Sequence, residues 1–397
     1  MIDAALLEDC RKLVSAQRDQ MISLAQRLVK LPSLSGQEGA VAEVVLAAMQ
    51  QLDFDESWLD PAGNVIGIVK GSGGPTTMFN GHMDVVDPGN PADWKYPAFG
   101  AEIRQNFMWG RGSADMKCAL TAMIFAAGLF KRWQRRPAGD IIVAAVIMEE
   151  IGGWGTHLLL QNSVLRADRA VVGEPTKNRL VPGHQVRMVL EAQIKGESKH
   201  SSLADHESNP LFTLARFINA LPGVTASLQE QVGYLTITPT VTVCPPGSSN
   251  ITPATITQTL DVRADPGVDT GLVILELDKL LQHNLGQKCA GQVRLDKLQL
   301  KTYTGIDLEV DNFVPGYMLP ADDPWLQECW EKLTIGLGRG PTGEVARFTC
   351  DASRLYLAGI PTVIFGPGDI SVAHTTDERI SIEQFLESVV AYMALVL

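Results

Sequence analysis

The chain has 397 residues, 45% of them hydrophobic and 20% charged, with a formal net charge of −12. That length exceeds what one hydrophobic core usually organises, so two domains are expected. The acidity excludes a nucleic-acid binder, which needs a basic stripe, and carboxylates holding divalent ions would offset part of it.

Residues 1–30 read as an amphipathic helix with no signal peptide, and no run is read as long and apolar enough to span a bilayer. Cys10, Cys118, Cys244, Cys289, Cys329 and Cys350 are scattered without a Cys-x-x-Cys pair. They fit free thiols in a reducing compartment better than a disulfide framework, and a cytoplasmic protein without membrane contact is the expectation. Apolar spacing predicts helices over 4–29 and 38–52, then strands over 65–70 and 76–80. A helix over 114–133, a strand over 141–148, a helix over 156–162 and a strand over 170–172 follow. Such alternation predicts an α/β domain, a helix-covered mixed sheet.

The pattern changes near Gly183. Strands over 186–195, 234–243, 256–263 and 293–300, interleaved with helices over 210–220 and 268–283, predict an inserted α+β sandwich. From Trp325 the first pattern resumes, with a helix to Leu337, a segment over 351–358 and a strand over 361–365. The expected division is therefore a catalytic domain of residues 1–183 and 301–397 around a lid or dimerisation domain of residues 184–300. Gly71-Ser72-Gly73-Gly74 precedes Pro75 and a strand, so it is no dinucleotide fingerprint, which needs Gly-x-Gly-x-x-Gly opening a helix.

The predicted strand over 141–148 ends in Glu149 and Glu150. Two adjacent carboxylates at a buried strand end cannot both stay ionised unless something positive sits there, and a metal ion is the simplest remedy. His82 and Asp84, Asp115, Glu174 and His374 all fall just beyond predicted strands or at the start of the next helix. In open α/β sheets ligands bind at the carboxyl ends of strands. Each residue alone reads as a cap, turn residue or surface charge; together they supply the donors of a hydrolytic metal site with an interleaved base.

Gly81-His82-Met83-Asp84-Val85-Val86, Gly110-Arg111-Gly112-Ser113-Ala114-Asp115-Met116-Lys117, Glu149-Glu150, Gly173-Glu174-Pro175-Thr176 and Gly366-Pro367-Gly368 with Ala373-His374 resemble the M20 metallopeptidases. Within that group the chain is most similar to acetylornithine deacetylase and succinyl-diaminopimelate desuccinylase. The resemblance implies two divalent metal ions, zinc first with cobalt or manganese as alternatives. It implies Asp115 as the bridge, His82 and Glu174 completing one site, and Glu150 and His374 the other. Asp84 would accept the second imidazole N–H of His82, Glu149 would act as general base, and the Asp115–Met116 peptide would be cis.

In the inserted domain, Lys195-Gly196-Glu197-Ser198-Lys199-His200-Ser201-Ser202 resembles the family segment whose histidine reaches an active site across a dimer, so His200 would bind the developing oxyanion. Asn250 and Arg263 would hold a substrate carboxylate, with backbone N–H groups of Gly366 and Gly368 assisting. Lys199 stands where the family commonly has a small residue, and Gln185-Val186 where acetylornithine deacetylases usually have Lys-Gly. The expected activity is hydrolysis of the amide of an N-acyl amino acid by a homodimer. The alternatives are a dipeptidase or glutamate-type carboxypeptidase of the same family, and a non-catalytic binding relative.

Overall fold

The computed structural model describes residues 4–133, 135–162, 165–245, 247–338, 340 and 344–397, so residues 1–3 of the predicted first helix lie outside the described residues. A strand without polar alternation must be covered on both faces. Val65–Val69 is buried throughout, and Gly139–Val146 is buried except at Asp140. Both lie inside a six-stranded sheet ordered Glu56–Leu59, Val65–Val69, Gly139–Val146, Gly74–His82, Arg169–Val172, Thr362–Ile364. The first two pairings are antiparallel and the other three parallel. Four neighbouring strands therefore end on the same edge.

Helix Cys118–Arg132 is buried from Cys118 to Phe130 and packs against this sheet and against Ile382–Leu395. Each fully buried Leu, Ile or Phe there contributes roughly 1.5–3 kcal/mol. The helix expected over 114–133 begins only at Cys118: Asp115 and Met116 are non-helical, and the peptide between them is cis, as the resemblance implies. The first predicted helix breaks at Gln17 into Ala4–Ala16 and Arg18–Val29.

A second core is built from residues between Val186 and Val293. Its antiparallel sheet runs Leu235–Val243, Thr255–Ala264, Val186–Lys195, Ala290–Leu295, with Phe313–Val314 pairing the start of Val186–Lys195. Helices Pro210–Val232 and Thr270–Asn284 cover one face. The strand expected over 293–300 is two strands: the Asp296 N–H still donates to the Val189 carbonyl, and from Lys297 the partner changes, Lys297–Lys301 pairing with Asp307–Asp311. Ser113–Arg132 and Pro210–Val232 are long and apolar enough to cross a bilayer by length and composition, which the sequence reading missed. The first is wholly buried in the main core, and the second packs Phe217, Leu221 and Leu228 on the lid core through its internal Pro222.

The two cores meet at His184, whose short strand Gly183–His184 pairs with Tyr317–Met318. His184 is fully buried, edge-on to Tyr317, with Nδ1 2.8 Å from the Gln185 carbonyl and Nε2 3.1 Å from the Cys350 carbonyl. Burial lowers its pKa from 6.5 to about 4. The unfolded chain therefore takes this proton first. Stability from His184 is complete above pH 6.5 and lost as pH falls towards 4, by roughly 2–3 kcal/mol. Urea denaturation of wild type and His184→Gln across that window checks this: the difference between them is expected to shrink as the pH falls, and a constant difference contradicts it.

Candidate metal centre

The parallel strand ends deliver the chemistry. His82 is the last residue of Gly74–His82, Glu149 and Glu150 follow Gly139–Val146, and Glu174 lies two residues past Arg169–Val172. His374 arrives on the loop after Thr362–Ile364 with φ of 61°. Ligand atoms of His82, Asp115 and Glu174 lie within 4.8 Å of one another, and so do those of Asp115, Glu150 and His374. Asp115 serves both groups through different oxygens. Its Oδ1 is 3.0 Å from His82 Nε2, and its Oδ2 is 3.2 Å from His374 Nε2. His374 Nε2 is also 3.0 Å from Glu150 Oε2.

These donors fit divalent cations. Two ligands on one tetrahedral zinc stand about 3.3 Å apart at ordinary bond lengths, close to the spacings here. Glu174 Oε1 is buried with no hydrogen-bond partner, the state of an oxygen aimed at a cation. Burial and then Asp115 push the Glu174 and Glu150 carboxyls upward, and burial and then Glu174 do the same to Glu149. Hydrogen bonds that its imidazole donates to Asp115 and then Glu150 raise His374 to about 10. Burial alone would lower His82, but Asp115 and Asp84 override it and hold the imidazole well above its ordinary value. Protons on the two histidines offset crowded carboxylates, and cations would do so more completely. Access is from the side of His374, whose side chain is 49% exposed while that of His82 is 1% exposed.

The supporting residues set this geometry. His82 Nδ1 takes its shortest bond, 2.9 Å, to the backbone carbonyl of Asp84, and the Asp84 carboxylate is 3.5 Å away. The expected imidazole–carboxylate contact is thus present as the longer of the two. The carboxylate also accepts the backbone N–H groups of Glu149 and Glu150 at 3.0 and 3.1 Å and the Ser35 hydroxyl at 2.6 Å. Glu38, buried, accepts the N–H of Met148, which has φ of 54°. Glu378 accepts the N–H groups of Ala114 and Asp115 and pairs with Arg111 at 2.5 Å. Lys117 Nζ, also buried, donates to the Leu28 and Leu31 carbonyls. The Met148–Glu150 and Ala114–Asp115 backbone segments are thus held by buried carboxyl side chains. The sequence reading missed Glu38, Glu378 and the buried Asp351, which lie outside the motif cores and carry no spacing signal.

His200 and Asn250 sit together on an exposed lid loop: Ser201 N donates to the Asn250 carbonyl and His200 Nδ1 is 2.8 Å from Ser202 Oγ. Arg263 pairs with Asp261 at 2.8 Å. Among the described residues none of the three bonds to the metal-ligand cluster. Gly366 and Gly368 do not offer their N–H groups to a ligand, contrary to expectation. Gly366 N donates to Thr176 Oγ1 at 3.0 Å and Gly368 N to Gln384 Oε1 at 2.9 Å, because a buried N–H must find a partner within the fold.

Arg111→Ala would leave Glu378 buried without its cation. The expected loss is roughly 3–5 kcal/mol in urea denaturation at pH 8. A loss below about 1 kcal/mol, the scale of an exposed pair, would show that this ion pair does not secure the Asp115 segment.

Residues 78–397 match the description "Peptidase family M20/M25/M40". The chain is 28% identical over 381 residues to succinyl-diaminopimelate desuccinylase 2 of Ruegeria sp. (strain TM1040), covering 91% of each. Human carnosine dipeptidase 1 has the same fold, with a TM-score of 0.76, 14% identity, and coverage of 99% of this chain and 98% of that one. So does the Bacillus subtilis YXEP protein, a dinuclear metal-binding peptidase from the M20 family, with a TM-score of 0.69, 16% identity, and coverage of 96% and 98%. The match reaches from the strand that presents His82 through the loop that presents His374, and the chain accordingly belongs to peptidase family M20/M25/M40, whose members this site makes it join as a metal-dependent hydrolase of amide bonds.

Proposed function

We propose that the chain is a dinuclear zinc amidohydrolase that removes the acyl group from an N-acyl amino acid. The observation that carries this reading is Asp115, whose two oxygens each face a different histidine. His82, Asp115 and Glu174 would hold one cation, and Asp115, Glu150 and His374 the other. Two such cations polarise a water and the scissile carbonyl together. The similarity to a desuccinylase supports the substrate class. Six unpaired cysteines, four of them buried, support a reducing, cytoplasmic setting.

Glu149 belongs to neither ligand group. Its backbone N–H is fixed by Asp84, and burial with Glu174 makes its carboxyl a ready proton holder. It would take the proton from the attacking water and pass it to the leaving amine. Glu149→Gln keeps the side-chain shape, so elemental analysis should find undiminished metal while kcat falls about 10²–10⁴-fold. Near-normal turnover of the metal-loaded variant would sink this role. Chelation should abolish hydrolysis and lower Tm, with both restored by zinc, because a ligand bound only by the folded state stabilises it.

A homodimer completes the proposal. The lid sheet ends in Leu235–Val243, an edge strand exposing Val241 and Val243, beside a helix exposing Leu211 and Phe212. Open apolar edges of this kind pair with a second chain. His200, on the same lid, would reach the partner's site and stabilise the developing oxyanion. His200→Ala and Glu149→Gln homodimers are both expected to be nearly inactive. Mixing them should restore activity, because one of the two sites then has both residues intact. No restoration in verified mixed dimers would place His200 outside the partner's site.

A further inference from the structure

Alternation sorts the lid strands into two faces. Met188, Leu190, Ala192 and Ile194 of one strand, and Ile256, Leu260, Val262 and Ala264 of its neighbour, face the helices and form the lid core. Arg187, Asp261 and Arg263 therefore lie on the opposite face. Arg187 stands directly across from Arg263 in the antiparallel register. One carboxylate serves both guanidinium groups: Asp261 Oδ1 is 2.8 Å from Arg263 Nε, and its Oδ2 is 3.5 Å from Arg187 Nε. Among the described residues the other side-chain partner of this trio is neutral: Arg187 Nη1 donates to Asn312 Oδ1 at 3.0 Å. Like charges directly opposite on neighbouring strands are destabilising, so the cluster carries one positive charge more than its own acid balances.

This end of the lid strand adjoins the catalytic loop. Val314 pairs with Arg187 and Phe313 with Met188. The Phe313 carbonyl lies 3.5 Å from the Arg354 guanidinium, which also donates through Nε, at 2.9 Å, to the Gly152 carbonyl just past Glu149 and Glu150. The field of Glu149 reaches Arg187 as well. Directly opposed residues have Cα atoms about 4.5–5.5 Å apart. A group held by Arg187 must then belong to the same small moiety as a carboxylate held by Arg263; the acyl group lies beyond the scissile carbonyl.

We propose that Arg187 is a specificity-determining residue that receives a side-chain carboxylate, so that the amino acid released by this enzyme is a dicarboxylic one. This rests on the amidohydrolase reading above and on the sequence expectation that Arg263 holds a substrate carboxylate, which we assign as the α-carboxylate. Asp261 holds the two forks parallel until the substrate's carboxylates engage them.

The test compares N-acetylglutamate with its neutral isostere N-acetylglutamine on the zinc-loaded protein, in wild type, Arg187→Met and Arg187→Lys. Wild type should favour the glutamate compound in kcat/KM, and Arg187→Met should reduce that ratio about ten- to a hundredfold, the effect of losing a charge-assisted hydrogen bond. Arg187→Lys, which keeps the charge without the fork, should lose less; equal losses would mean that the arginine acts through packing and would overturn the proposal. So would an unchanged ratio in Arg187→Met, or a preference in wild type for N-succinylalanine over N-acetylglutamate. Calorimetric binding of free glutamate against glutamine separates the two readings. If neither amide is hydrolysed but Arg187→Met abolishes a glutamate preference in binding, the amidohydrolase reading fails while the carboxylate site at Arg187 stands. If wild type binds both equally, this one fails whatever the turnover.

Discussion

Asp115, Glu149, Glu150 and Glu174 crowd at one edge of one sheet, and buried like charges at such spacing repel. The two histidines of the site, both held toward their protonated forms, are the only neutralising groups that the ligand cluster itself contains among the described residues. The rest of the structure follows from that constraint. A sheet whose four parallel strands end side by side brings the acids together, and the arrangement is sustainable only where cations join them.

Holding the acids in place takes a second set of buried ionisable groups. Asp84 accepts the backbone of Glu149 and Glu150, Glu38 that of Met148, and Glu378 that of Ala114 and Asp115. All three act as acceptors for N–H groups that irregular backbone leaves without a helical or sheet partner. Burial, then the pull of Arg111 against the push of Asp115, leaves Glu378 at about 7, and burial with Asp84 brings Glu38 to about 7. These groups act on the chemistry only through the ligands they position, which is where precision of a metal site originates.

The lid contributes a different chemistry. Its sheet turns one face to its helices and leaves the other polar, and Arg187 and Arg263 meet at the end nearest the catalytic loop. The separation is physical: ligands sit on the rigid main sheet, and groups that would recognise substrate sit on a body joined to it at the His184–Tyr317 ladder.

Periodicity and strand-end position were enough to expect a helix-covered α/β sheet with an inserted α+β sandwich, and to mark His82, Asp84, Asp115, Glu149, Glu150, Glu174 and His374; the resemblance to the M20 metallopeptidases separated the expected ligands from the others. The sequence determines these because a buried strand must be apolar and a carboxylate at its end is conspicuous. Other features were invisible to such a reading. Whether the His82 imidazole takes its shorter bond to the backbone carbonyl or to the carboxylate of Asp84 depends on a difference of about half an ångström, 2.9 against 3.5 Å. The occupied N–H groups of Gly366 and Gly368 depend on Thr176 and Gln384, residues brought close only by folding. Glu378 lies 267 positions from Arg111, and Arg187 meets Arg263 only through strand register. The sequence by itself determined which strand ends carry candidate ligands, because apolar runs that stop at His, Asp or Glu mark them; tertiary structure alone decided what each one touches, because those partners are remote in the chain and selected by packing.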